Sequence, residues 1–208
     1  LNNSFRYFLK GTNLKVLSNV VSDSNPNGMP IKKAYALSFL LTFYSVVFMG
    51  SVNKTIRPIL IDGEFYRREN RTEFTEAYNE LIKLEDVIHK FEAAISPDGD
   101  YGKRYYQAKG DMTSLPVKRR KIHLVMEEAD READRIIDRV REAVQSMIGV
   151  LNGVIRKDRN GVYDTLGNLS QFAAGKGPAL ITSINDAIQQ FQKTLQLLDD
   201  IDEMEAGR

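Results

Sequence analysis

Hydrophobic positions recur at helical spacing along most of the chain. The longest series is Ile122, Val125, Ala129, Ala133, Ile136, Val140, Val144, Met147, Leu151 and Val154. Steps of three and four place all ten on one face of an α-helix. The positions between them carry mixed charge, from Glu127, Glu128 and Asp130 through Arg131, Asp134, Arg135 and Asp138 to Arg139, Arg141 and Glu142. Such alternation describes a solvated helix face. Ser114 stands where a cap is needed, and Pro116 suits a first turn, where its missing N–H costs nothing. Arg156 and Lys157 supply cations for the last turn, and Asn160-Gly161 supplies C-cap material. The pattern predicts one helix over about 115–158, roughly 60 Å long at 1.5 Å per residue.

Two further stripes have the same period. Phe74, Tyr78, Leu81, Leu84, Ile88, Phe91 and Ile95 predict a helix from about 71 to 95, started by Asn70 and Glu73 at capping-box spacing and stopped by Ser96-Pro97-Asp98-Gly99. Leu180, Ile184, Ala187, Ile188, Phe191, Leu195, Leu198 and Ile201 predict a last helix opening at Pro178. A shorter piece, Thr165 to Ala174, precedes it. Gly175-Lys176-Gly177-Pro178 breaks the two, so the C-terminal helix is broken.

Ala34 to Val52 has no charged residue. That length can span a bilayer, but Tyr35, Ser38, Thr42 and Ser45 form a thin polar stripe, and basic residues flank both ends. A helix buried in the bundle fits better, with Phe39, Leu40, Phe43, Val47 and Phe48 covered by the same chain. Residues 1–22 hold two short apolar pieces, and 22–30 is turn-rich, so 1–30 reads as an N-terminal extension. Asp62-Gly63 between short apolar runs allows at most a small two-stranded element or crossover over 55–66. Residues 98–113, with three glycines and the cluster Tyr101, Tyr105 and Tyr106, read as a polar loop that is mobile or used for docking. The fold class is therefore all-α: a single helical domain. One long helix pairs antiparallel with the broken C-terminal helix, and the apolar helix of about 33–52 is buried among them.

Composition adds mainly exclusions. The chain has 208 residues, enough for one sizeable core. It has no cysteine, which removes disulfides, thiolate catalysis and cysteine-based zinc sites. This fits a reducing compartment, and the cytoplasm is favoured. A net charge of +1 gives no global field for nucleic acid or an anionic membrane. The chain begins at Leu1 and reads as a piece of a longer protein, so a missing targeting signal carries no weight.

Few residues suggest chemistry. Asp86 with His89, and His123 with Glu127, have chelating spacing on predicted helices and are weak metal candidates. No Glu-x-x-His is present, so a di-iron carboxylate bundle lacks its ligands, and charged helices produce such pairs by chance. Gly175-Lys176-Gly177-Pro178 lacks the leading glycine and the Ser or Thr of a P-loop. No Gly-x-Ser-x-Gly elbow occurs. No catalytic residue and no cofactor is expected. The expected role is a protein–protein interaction or scaffolding module that contacts a protein partner or other domains of its parent chain. Its rivals are a membrane-anchored module using 34–52 and a metal-binding bundle.

Lys118-Arg119-Arg120-Lys121 is the one anomaly. Four cations at a helix start oppose the macrodipole. With Arg67, Arg68, Arg71, Lys103 and Arg104, and Tyr105 and Tyr106 for stacking, they could form a nucleic-acid or phospholipid patch. The net charge disfavours nucleic acid. The acidic end of the last helix, Asp199 to Glu205, is equally anomalous. If the two helices are antiparallel, Lys118, Arg119 or Lys121 should meet Asp199, Asp200, Asp202 or Glu203. If they do not meet, the basic start is left for an acidic partner.

Overall fold

The computed structural model describes residues 29, 31, 33, 34, 37, 48–58, 68–159 and 177–206. Four helices make up most of it: α1 (Arg68–Ile95), α2 (Asp100–Gly110), α3 (Leu115–Arg159) and α4 (Gly177–Ala206). Phe48–Ile56 forms a π-helical segment. The chain is an all-α helical bundle, with no strand among the described residues.

The apolar stripes become the core. Of the ten α3 positions, nine are buried, joined by Ile137 and Ala143. Ile122, nearest the helix start, is only partly covered. On α1 the stripe from Phe74 to Phe91 is buried, with Ala77 added. On α4 Ile184, Ala187, Ile188, Phe191 and Leu198 are buried. Thr194 shares that face although it is polar. Its hydroxyl donates to the Gln190 carbonyl at 3.1 Å, one turn back, which satisfies the group without a partner helix.

The described residues fall into two compact units, one of the residues up to 37 with 84–139 and 200–206, the other of 48–58, 68–83, 140–159 and 177–199. In the first, Met29, Ile31, Ala34 and Leu37 are buried with the C-terminal half of α1 and the N-terminal half of α3. Lys33 is buried there too and pairs with Asp134, whose side chain stays half exposed. The sequence places Lys33 as a flank of the apolar stretch. In the structure it is an interior charge neutralised from α3, and its stem adds apolar cover.

In the second unit, Val52 and Ile56 are buried. The Tyr78 hydroxyl donates to Asn53 Oδ1 at 3.1 Å, and the Arg57 guanidinium lies 5.4 Å from the Tyr78 ring centre, a cation–π contact. This corrects the expected crossover at its start, since residues 55–58 are helical. Arg141 Nη2 reaches Asp199 Oδ1 at 3.5 Å. That contact decides the direction of α4. Asp199 is 22 residues into α4 and Arg141 is 18 residues before the end of α3. An antiparallel pair brings the connected ends nearly level. A parallel pair would separate them by about 60 Å, near the full extension of the connecting 17 residues at roughly 3.5 Å each. The pairing is antiparallel.

Its register differs from the expected one. Asp199 takes Arg141, and Lys121 takes Asp111, twenty residues earlier on α3. The expected meeting of the basic start with Asp199 is therefore corrected, and the side chains of Asp202 and Glu203 lie outside the described ones. Asp199 of α4 stands against Arg141, in the middle of α3.

Residues 98–113 are not the expected loop: Asp100–Gly110 is α2. An acid in the first turn and Lys109 in the last complement the helix dipole. Gly102 is buried, and a Cβ on it would lie 1.7 Å from the Ser96 carbonyl oxygen. The glycine permits close approach to the end of α1 and does not break the helix. α1 begins at Arg68, so Asn70 lies inside its first turn and does not cap it. The short helices expected within 1–22 and 164–174 lie outside the described residues. So do Phe39, Leu40, Phe43, Val47 and the Phe48 side chain, and with them most of the 34–52 stretch. No helix among the described residues is long and apolar enough to cross a membrane.

Candidate interaction surface

The residues singled out for contact come together on one hairpin, α2 against the first half of α3, both in the first unit. The connection is short. Asp111 Oδ1 accepts from the Thr113 backbone N–H at 3.1 Å, a local turn bond. Its other carboxylate oxygen pairs with Lys121, one and a half turns into α3. The Lys118 backbone N–H donates to the Ser114 carbonyl at 3.1 Å, which opens α3 at the expected cap position.

Further along, Arg104 Nη1 pairs with Glu128 Oε2 at 2.7 Å. The positions run 111 with 121 and 104 with 128, so α2 returns antiparallel along α3. Ala108 and Val125 are buried in this hairpin. Tyr101 lies near Glu132 and Glu128. Its phenol pKa is raised, first by burial and then by these carboxylates, so the hydroxyl stays protonated further into the alkaline range. Tyr105 and Tyr106 meet edge to face, ring centres 5.3 Å apart. All three tyrosines are half buried.

The ion pairs shift their own titrations. The hydrogen bond from Arg104 holds the Glu128 carboxyl below its ordinary pKa, and that from Lys121 does the same for Asp111. A carboxylate whose pKa is depressed by folding stabilises the fold above its unfolded pKa. That contribution is lost as pH falls through the lower, folded value. Acidification below about pH 4 should therefore loosen the α2–α3 hairpin. In amide exchange from pH 5 to pH 3, α2 should lose protection earlier than the middle of α3. Asp111→Asn and Glu128→Gln should remove that difference.

Of the basic start, Lys121 is committed to Asp111. Lys118, Arg119 and Arg120 have no side-chain partner among the described residues, and Arg119 and Arg120 are exposed. Large apolar side chains surround them: Met112, Leu115, Val117 and Leu124 are all exposed. Sequence reasoning found the cations and missed the apolar groups, because a helix amphipathicity search looks for stripes and these do not form one.

The weak metal candidates are engaged elsewhere. Asp86 pairs with Lys90 at 2.6 Å, and His89 Nδ1 lies 3.2 Å from Glu92. His123 does meet Glu127, Nε2 to Oε1 3.2 Å. Both histidines are exposed, and among the described residues no three metal-ligating side chains gather.

The hairpin of this helical bundle combines exposed basic residues with half-buried tyrosines. The model of a family of unknown function (DUF5312) matches residues 1–198, and the chain belongs to that family. No curated protein and no solved structure matches the chain.

Proposed function

We propose that the chain is a helical scaffolding module whose work is protein–protein contact, with a separate partner or with other domains of its parent chain. The observation that supports this is the α2 hairpin face. It is a short helix held to the bundle by two ion pairs and by buried Gly102 and Ala108. It carries Tyr101, Tyr105 and Tyr106 on the same hairpin as Lys118, Arg119 and Arg120, which have no side-chain partner among the described residues. Tyrosine and arginine are enriched at energetic centres of interfaces, since they bring large contact area with polar ends. The edge-to-face arrangement of Tyr105 and Tyr106 fixes both rings before binding and lowers the entropy lost on association.

The test is recovery of partners from the native source with tagged wild-type chain and with a Tyr105→Ser/Tyr106→Ser double variant. Circular dichroism checks that both fold. The expected result is a discrete partner held by the wild type and depleted about ten-fold or more by the variant, as for loss of one hot spot. An identical set of partners on both proteins would refute the role of this face.

A further inference from the structure

The connection between α2 and α3 has its own composition. From Lys109 to His123 the chain carries five lysines and arginines against the single acid Asp111, a net +4, while the whole chain is +1. Met112 is 99% exposed, Leu115 60% and Val117 44%. Isolated exposed hydrophobes are ordinary. Three within six residues, at the bend of a hairpin with cations directly behind, are not.

Their directions identify the occupant. At about 100° per residue, Leu115 and Val117 point about 200° apart around the α3 axis, and Met112 precedes the helix. A flat protein face reaches only one side of such a tip. A fluid apolar medium that surrounds the tip reaches all of them. Heights along the axis agree. Lys118 stands about 4.5 Å and Arg120 about 7.5 Å behind Leu115. Interfacial segments bury their apolar groups some 5–10 Å into the headgroup boundary, so these cations would lie at phosphate level. Long basic side chains adjust their height by snorkelling.

We propose that the α2–α3 tip docks onto an anionic lipid surface, with Met112, Leu115 and Val117 entering the interface and Lys118, Arg119 and Arg120 binding headgroup phosphates. The tip adds a second contact to the scaffolding role and leaves the tyrosine face available. The two signals are individually weak, so docking is reversible and depends on both.

The test is co-sedimentation of the full chain with phosphatidylcholine vesicles and with vesicles containing about 30% phosphatidylserine. The expected result is binding to the anionic vesicles, none to the neutral ones, and release as salt shortens the screening length. Met112→Ser/Leu115→Ser and Arg119→Glu/Arg120→Glu should each weaken binding about ten-fold or more. Lys193→Glu, an exposed charge on α4, should leave it within about two-fold. All changed positions are exposed, and circular dichroism checks folding. No binding to anionic vesicles overturns the proposal. So does binding that falls with the arginine variant but not with the Met112/Leu115 variant. That pattern describes a simple polyanion site, as for nucleic acid or an acidic protein. Failure of docking with the tyrosine-dependent partner intact refutes the tip alone.

Discussion

Substituting Phe191 with alanine is expected to lower the stability of the chain by about 3–5 kcal/mol. The side chain is 1% exposed, on the α4 stripe formed with Ile184, Ala187, Ile188 and Leu198. Removing a buried ring loses its transfer free energy and leaves a cavity. The neighbours are close-packed and cannot all move into it. Phe191→Leu keeps part of the volume and should cost about 1.5 kcal/mol or less. Urea unfolding followed by circular dichroism separates these cases. The midpoint should fall with an unchanged denaturant slope, since the surface exposed on unfolding stays the same. A cost below about 1 kcal/mol for the alanine variant would mean that α4 does not pack through this face.

The second large effect concerns the backbone of α3. Gln145 is exposed, so its side chain contributes little. Gln145→Pro should nevertheless cost about 3 kcal/mol or more. Proline removes the N–H that bonds the Arg141 carbonyl, and its ring collides with that carbonyl. Arg141 is also the residue that fixes α4 through Asp199, so the kink falls where the helices are registered. Gln145→Ala should be neutral or slightly stabilising, because alanine is the better helix former. Thermal melting of the three proteins decides the point. Equal melting temperatures would show that Leu115–Arg159 is not one uninterrupted helix.

These two expectations rest on features that could be read from residue order. The α3 stripe from Val125 to Val154 and the α1 stripe from Phe74 to Phe91 are long and regular, and burial follows them almost position by position. The antiparallel direction of α3 and α4 was also legible. The register was not. The same charge anomalies are compatible with several offsets, and only the contact of Arg141 with Asp199 chooses among them. α2 was misread because glycine is a poor helix former in isolation. At Gly102 the Ser96 carbonyl, sixth in sequence before it, requires the missing side chain. Lys33 was placed outside because a lysine next to an apolar run usually is, and its partner Asp134 lies 101 residues away. Thr194 was passed over because its hydroxyl is satisfied within its own helix, which no hydrophobicity pattern reveals.

The candidate surface was half legible. Lys118, Arg119 and Arg120 stood out by the wrong sign for a helix start, and the tyrosines by clustering. Met112, Leu115 and Val117 gain meaning only when α2 turns residues 111–117 into the exposed bend of a hairpin. The cations at the start of α3 are then not a folding signal satisfied by α4. They are a charge retained at the surface against the helix dipole.

The claim that this chain works by contact through the α2 face is tested most directly by photo-crosslinking in its native cells. A benzophenone side chain is placed at Tyr105 and, as a control on an exposed position of α3, at Gln145. The account predicts a discrete protein adduct from position 105, lost when Tyr106→Ser is added, and none from position 145. Adducts at 145 with none at 105 would contradict it.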